Sequence, residues 1–349
     1  MQLLYSANNN GRGTKAGDRD RMENFKALRV HAADEGVAPS LDHITLDDLA
    51  EGEVVIRCAW SCINYKDALA ITGAGKIMRS HPLVAGIDVA GTVVASAAPE
   101  CQEGDEVLVT SAGLGETRDG GFAEYARLPA ASVLPLPSGF SMREAMALGT
   151  AGFTAALAVH RMEQNGQQPD SGPVAVNGAT GGVGSVAVDL LAGRGYEVHA
   201  ITHKPDAADY LQTLGAAEVV AAGELELGGR PLEKAVWAGA VDNLGGEMLS
   251  WFTRSTRYGG NVASIGLAVS HKLETTVMPF ILRGVNLLGI NAVDTPRQLR
   301  LDVWQRLSDD LRPRQLDNIV SREISLNEVA GSVQDWIDGR VTGRTLVRL

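Results

Sequence analysis

Cysteine is scarce in this chain, with three in 349 residues at Cys58, Cys62 and Cys101. An odd, sparse set without a C-x-x-C pair excludes a disulfide framework and a cysteine-clustered zinc lobe, and it predicts reduced thiols in a cytoplasmic protein. Positive charge is also in deficit: 31 Lys and Arg stand against 42 Asp and Glu, for a net charge of -11. That balance argues against a nucleic-acid partner and against an anionic membrane surface. It leaves a small anionic substrate open, because a local basic pocket can outvote the global charge. No apolar run approaches the length that spans a bilayer, so no membrane partner is expected. The start of the chain, with its Asn8-Asn9-Asn10-Gly11-Arg12-Gly13 stretch, has no apolar signal core. Residues 1–21 read as a tag or disordered arm and are set aside from the fold. Internal repeats and low-complexity segments are absent.

What is present is enough apolar material, 45% of the chain, for two cores. From about residue 25 to 144 short apolar runs alternate with Gly, Asp and Pro. Phe25–Val30, Val54–Trp60, Gly91–Ala95 and Glu106–Val109 read as strands. Ser141 with Glu144 three residues on matches a capping box at a helix start. From about 145 to 291 the rhythm becomes strand, helix, strand. The strand candidates are 173–177, 197–202, 217–221, 234–241, 260–265 and 285–290, with Gly215 as a C-cap. Six strands in this order predict a doubly wound parallel sheet. A helix follows over Pro296–Leu311, and Arg344–Leu349 closes the chain as a strand returning to the first domain.

The most informative stretch is Val174-Ala175-Val176-Asn177-Gly178-Ala179-Thr180-Gly181-Gly182-Val183-Gly184-Ser185. A buried-strand pattern feeds a glycine turn, which opens a small-residue helix over Val183–Arg194. Glycine lets the backbone approach a pyrophosphate, and the helix start offers unpaired N–H groups and a positive dipole end. Thr180, Gly181, Gly182, Val183 and Gly184 are therefore candidate dinucleotide-binding residues. The second strand of the unit ends Thr202-His203-Lys204, eighteen residues past Gly184. A site for NAD places an acid there to bind the ribose hydroxyls. A hydroxyl, an imidazole and an ammonium instead suit a 2′-phosphate, so the cofactor expected is NADPH.

Five segments then carry a family resemblance: Asn64–Gly73, Gly86–Gly91, Arg230–Lys234, Thr275–Arg283 and Gly343–Val347. With the glycine turn, they make the chain resemble the medium-chain dehydrogenase/reductase superfamily. Within it, the chain is similar to the acrylyl-CoA reductase group of NADPH enzymes, close relatives of the quinone oxidoreductases. The resemblance implies a GroES-like β-rich catalytic domain over 22–144 and 292–349, and a Rossmann doubly wound parallel-sheet NADPH-binding domain over 145–291. Zinc-dependent members carry a cysteine followed three residues later by an acid, and then Gly-His-Glu. Here Asn64 and Asp67 hold the first pair and Gly86-Ile87-Asp88 replaces the second, so no metal is expected.

Without a metal, conjugate reduction of an enoyl thioester is the natural chemistry: acryloyl-CoA to propanoyl-CoA, with hydride going to the β-carbon. By resemblance Asn64, Tyr65 and Asp67 lie beside the nicotinamide, in the family's cleft between domains. Tyr65 is the leading hydrogen-bond donor or proton relay. Asp67 can equally cap a helix or pair with Lys66, and Asp88 reads equally as a structural acceptor. Cys62 reads as a packed core residue. Asn243, Leu244, Gly266, Leu267 and Asn291, at strand ends, are further cofactor candidates. Lys76 and Arg79 are candidates for the CoA phosphates of an acyl-CoA substrate, with Arg283 and Arg297 behind them. The edge run Val285–Ile290 predicts a homodimer. A quinone or enone reductase of the same fold is the alternative enzyme, and a non-catalytic NADPH-binding protein is the alternative outside catalysis.

Overall fold

A computed structural model describes Met22 and residues 24–349. The arm expected over residues 1–21 lies outside the described residues. The chain forms two compact units, one running to Thr150 and resuming over Arg322–Leu349, the other over Ala151–Ser321.

In the first unit Val54–Ile63 is the central strand. On one side it pairs antiparallel with Asp88–Ser96. On the other its first half pairs with Tyr125–Leu128 and its second half with Arg344–Arg348, where Thr345 faces Ile63. Glu106–Thr110 and Leu134–Pro135 continue the sheet beyond Asp88–Ser96. The two-residue side-chain period of a strand explains the burial. Val54, Ile56 and Cys58 point into one cluster with Val89, Val107 and Leu128. Val55 points into another with Phe25, Val84 and Tyr125. The helix Tyr65–Thr72 leaves the end of the central strand and turns Ala68 and Ile71 inward against Leu28, Ile63 and Val347.

The Ser141 capping box is present. The Ser141 amide donates to Glu144 Oε2 at 2.8 Å, and the Glu144 amide donates to Ser141 Oγ at 3.2 Å. The helix it opens, Met142–Gln164, is broken at Gly149 (φ 52°, ψ -152°). One residue further on, the chain passes into the second unit.

The second unit holds six strands: β1 (Val174–Val176), β2 (Val198–Thr202), β3 (Glu218–Ala221), β4 (Trp237–Asp242), β5 (Thr256–Ser264) and β6 (Asn286–Gly289). All pair in parallel, in the order β3-β2-β1-β4-β5-β6. The core between sheet and helices contains Ala175, Ile201, Trp237, Ala240, Phe252 and Val262. Fully burying a side chain such as Phe252 contributes about 1.5–3 kcal/mol. The strand order reverses between β1 and β4, which opens a crevice at their carboxyl ends, where ligands bind in sheets of this kind.

The sequence reading grouped residues 292–349 with the first domain, but 292–321 pack in the second unit. The reason is tertiary. On the helix Arg297–Ser308, Trp304 stacks on Phe153 with ring centroids 6.5 Å apart, and Arg306 pairs with Glu163 at 2.6 Å. Among the described residues no helix is long and apolar enough to cross a membrane.

Candidate functional site

The crevice in the second unit is built by the turns that follow β1 and β4. After β1 the chain runs through Gly178–Gly181 and opens the helix Gly182–Gly193. The first amides of a helix have no carbonyl one turn back to accept them, so Gly182, Val183 and Gly184 present donors at its positive end. Gly184 lies so close to the turn that a Cβ there would be 2.3 Å from the Gly178 carbonyl oxygen. Behind the turn, Tyr210 donates to Ser185 Oγ at 2.8 Å and Ser185 donates to the Ala179 carbonyl at 3.1 Å. Burial pushes the Tyr210 hydroxyl up to about 12, so it stays a donor.

The turn after β4 is locked to the turn after β1. The Asn243 amide donates to Asn177 Oδ1 at 2.6 Å, and Asn243 Nδ2 donates to the Asn177 carbonyl at 2.7 Å. Asn177 in turn donates to Asp242, whose carboxyl burial holds above its ordinary range. Asn243 Oδ1 is buried without a hydrogen-bond partner. An orphaned acceptor beside unpaired helix amides, at a strand-order switch, fits a dinucleotide carrying hydroxyl and amide donors. Gly266 is held at the same edge by its amide, 3.3 Å from the Asp242 carbonyl, and the Leu244 carbonyl accepts from Val269 at 3.0 Å. Thr202 ends β2, next to β1, and its hydroxyl oxygen accepts from the Lys204 amide at 3.0 Å. Lys204 is half-buried, and that burial lowers its proton affinity, whereas His203 is exposed. Thr180, Gly181, Gly182, Val183, Gly184, Thr202, His203, Lys204, Asn243, Leu244 and Gly266 thus gather at the carboxyl edge of one sheet. Leu267 follows them but is 67% exposed.

Asn291 lies further along the same carboxyl edge, two residues past β6 and two strands from β4, and its carboxamide braces its own turn. Asn291 Oδ1 accepts from the Val293 and Asp294 amides at 2.9 and 3.2 Å, and Nδ2 donates to Asp294. The turn uses both lone pairs of Oδ1 and one hydrogen of Nδ2, which leaves one amide hydrogen to donate to a ligand. Arg283 is likewise committed, to the carbonyls of Arg254, Thr256 and Glu233.

The first unit contains a second constellation. Tyr65 opens its helix and is 42% exposed. Lys66 pairs with Glu116 at 3.1 Å, not with Asp67. Lys76 and Arg79 are both exposed on the segment after the helix. Asn64 and Asp67 are buried within the first unit. Asn64 Nδ2 donates to Asp67 at 3.2 Å and to Asp88 at 2.8 Å, while Asn64 Oδ1 accepts from Arg344 Nη1 at 3.0 Å. Asp67 accepts the Asn64 and Ile87 amides at 2.8 and 2.9 Å. Asp88 accepts the Thr150 amide and hydroxyl. The Asp67 carboxyl is pushed up to about 7 by burial, with the charge of Asp88 adding to it. Cys62 is more than a packed thiol: it donates to Asp88 at 3.2 Å and takes Arg344 Nη2 at 2.8 Å, and burial raises it well above an ordinary thiol.

Sequence reasoning missed Arg344, Thr150, Ser185 and Tyr210. Arg344 stood inside a recognised segment, but nothing local points across the 280 residues that separate it from Asn64.

A Rossmann sheet with a glycine-lined nucleotide crevice, joined to a β-rich unit, defines a two-domain dinucleotide-dependent oxidoreductase. The family models agree: "Alcohol dehydrogenase GroES-like domain" matches residues 50–138 and "Zinc-binding dehydrogenase" residues 182–309. The chain belongs to the medium-chain dehydrogenase/reductase superfamily, in the branch that holds its acrylyl-CoA reductases and quinone oxidoreductases. It is 45% identical to the acrylyl-CoA reductase AcuI of Ruegeria pomeroyi, over 93% of this chain and 98% of that one. It is 49% identical to YhfP of Bacillus subtilis, named provisionally as a quinone oxidoreductase, over 93% and 99%. The structure of YhfP with NAD bound superposes at a TM-score of 0.91. The YhdH oxidoreductase of Salmonella enterica in complex with NADP, 44% identical, superposes at 0.90 over 93% of this chain and 99% of that one.

The second family model carries zinc in its description, and the residues here do not suit that ion. Among the described residues no three His, Cys, Asp or Glu side chains are placed to hold a metal. The acidic and thiol groups nearest such a set, Cys62 and Asp88, already face the Arg344 guanidinium through a thiol that burial keeps protonated.

Proposed function

We propose that this protein is an NADPH-dependent reductase that saturates the α,β-double bond of acryloyl-CoA to give propanoyl-CoA. The observation that carries the reading is the 45% identity to an acrylyl-CoA reductase along nearly the whole of both chains. The donor set at the end of β2 supports the phosphorylated carrier. Thr202, His203 and Lys204 would hold a 2′-phosphate, and a dianion beside Lys204 would restore the proton affinity that burial has lowered. The amides of Gly182, Val183 and Gly184 would hold the pyrophosphate. Asn243 Oδ1 would accept from a carrier hydroxyl or amide, with Leu244, Gly266 and Leu267 lining the same edge. When bound, the carrier supplies hydride to the β-carbon.

The remaining task is electrostatic: negative charge develops on the thioester oxygen and a proton must reach the α-carbon. Tyr65 is the exposed hydroxyl donor suited to it, with Asn64 and Asp67 holding its helix. Stopped-flow loss of NADPH absorbance on mixing with acryloyl-CoA tests the reading, with NADH as the comparison. Absence of turnover with every enoyl thioester would remove it.

Lys76 and Arg79 would take the CoA phosphates. The double charge reversal Lys76→Glu/Arg79→Glu is expected to raise KM for acryloyl-CoA about 10–100-fold, the scale of a lost charge-assisted contact, while leaving a small enone's KM unchanged. This also separates the runner-up. The 49% identity to YhfP favours a quinone or enone reductase as the second reading, and such an enzyme would not feel the reversal.

We further propose a cytoplasmic homodimer. Among the described residues strand β6 pairs on one side only, and Val277, Ile281 and Leu282, on the segment that precedes it, are exposed apolar residues. An unpaired apolar edge is a pairing template, and a second copy satisfies it symmetrically. Light scattering is expected to give twice the chain mass, and Leu287→Lys on that strand to halve it.

A further inference from the structure

In one connected group the first unit buries the carboxylates of Asp67 and Asp88, the thiol of Cys62 and the guanidinium of Arg344. All of the guanidinium nitrogens are used. Nε donates to the Ala147 carbonyl at 3.0 Å and Nη2 to Cys62 Sγ at 2.8 Å. Nη1 donates to the Ile63 carbonyl at 3.3 Å and to Asn64 Oδ1 at 3.0 Å. Ile63 and Asn64 are the two residues before Tyr65. Asn64, thus gripped, spends its carboxamide hydrogens on Asp67 and Asp88, and Asp67 also accepts the Asn64 backbone amide. The entry to the Tyr65 helix is therefore fixed from the last strand of the chain through a planar, charged fork. Lysine, a point charge with no fork, cannot reproduce that pattern.

We propose that Arg344 is a positioning residue for the reaction, setting the orientation of Tyr65 through Ile63 and Asn64. It acts from within the fold, on Cys62, Ile63, Asn64 and Ala147 of the first unit. Its replacement is expected to leave NADPH affinity unchanged. The inference rests on the reductase reading for the role of Tyr65. It goes beyond that reading in assigning a function to a buried side chain.

A double-mutant cycle tests it, with Arg344→Gln and Tyr65→Phe made singly and together, and acryloyl-CoA reduction and NADPH affinity measured on each. Arg344→Gln is expected to lower kcat about 30-fold in the native background and less than threefold when the Tyr65 hydroxyl is already gone. NADPH affinity should stay within twofold throughout. Arg344→Lys, which keeps the charge, should fall between and carries the cycle if the glutamine variant does not fold. An equal loss in both backgrounds would overturn the proposal, because a merely structural arginine acts additively with Tyr65. If the native protein itself reduces no enoyl thioester, the reductase reading fails separately. Hydrogen exchange then decides on Arg344: tenfold faster exchange at the Ala68 and Leu69 amides in the variant supports its grip on the helix, and unchanged exchange overturns it.

Discussion

Gly184→Ala is expected to weaken NADPH binding by roughly 100- to 1000-fold, about 3–4 kcal/mol. The added Cβ would fall 2.3 Å from the Gly178 carbonyl oxygen, 2.8 Å from the Ala179 Cα and 2.9 Å from the Gly178 carbonyl carbon. Every one of these atoms is backbone, so no side chain can swing aside to make room. Either the turn after β1 or the start of the helix Gly182–Gly193 has to move, and these two elements are the ones proposed to carry the donors for the pyrophosphate. The turn is also braced from behind by the Tyr210–Ser185–Ala179 chain of hydrogen bonds, which resists retreat in that direction. Hydrogen bonds to a phosphate fall off steeply with misalignment, so a displacement of half an ångström or more is felt directly in affinity. Titration of NADPH against the variant, followed by fluorescence, checks this. Binding within threefold of native would mean that the crevice of the second unit is not where the carrier docks. The unliganded variant should lose stability as well, read as a lower Tm, because the collision involves the backbone of the buried residues Gly184 and Ala179.

The nucleotide half of the candidate site could be read as one group because its information is local. Glycine spacing, an apolar strand and a missing acid at Thr202-His203-Lys204 all lie within one strand–helix–strand unit, and the fold places them on one sheet edge. The capping box at Ser141 was legible for the same reason. The catalytic half was only partly legible. The segment Asn64–Asp67 stood out, but its side chains divide by burial: Tyr65 faces outward while Asn64 and Asp67 turn into the interior. That division depends on Arg344 and Asp88, which reach them from distant strands. Asn291 was pointed to by resemblance alone, and the Asx turn that occupies its Oδ1 could not be read from that resemblance. The helix Arg297–Ser308 was assigned to the wrong unit because its partners, Phe153 and Glu163, are visible only once the chain has folded.

Gly149→Ala is expected to lower the stability of the protein by about 3–6 kcal/mol, even though the change adds a single methyl group to a helical stretch. Two effects combine. The backbone at Gly149, with φ 52° and ψ -152°, lies where an L side chain is strained by about 1–3 kcal/mol. The Cβ would also land 2.6 Å from Cys62 Sγ, 2.7 Å from Asp88 Oδ2 and 2.9 Å from Arg344 Nη2. Cys62 holds the other two there, donating to Asp88 and taking Arg344 Nη2. Displacing these buried groups breaks hydrogen bonds that cost about 1–3 kcal/mol each to leave unmade. Gly166→Ala separates the two contributions. Gly166 also has positive φ, at 80°, but a Cβ there would meet nothing within 4 Å. It should therefore show the backbone strain alone, on the order of 1 kcal/mol. Thermal unfolding of the two variants is the measurement. At about 2–4 °C per kcal/mol for a unit of this size, Gly149→Ala should fall by roughly 10 °C or more and Gly166→Ala by a few degrees. Equal losses would mean that the Cys62–Asp88–Arg344 cluster yields to the methyl without cost. A cluster that soft could not hold the entry to the Tyr65 helix either.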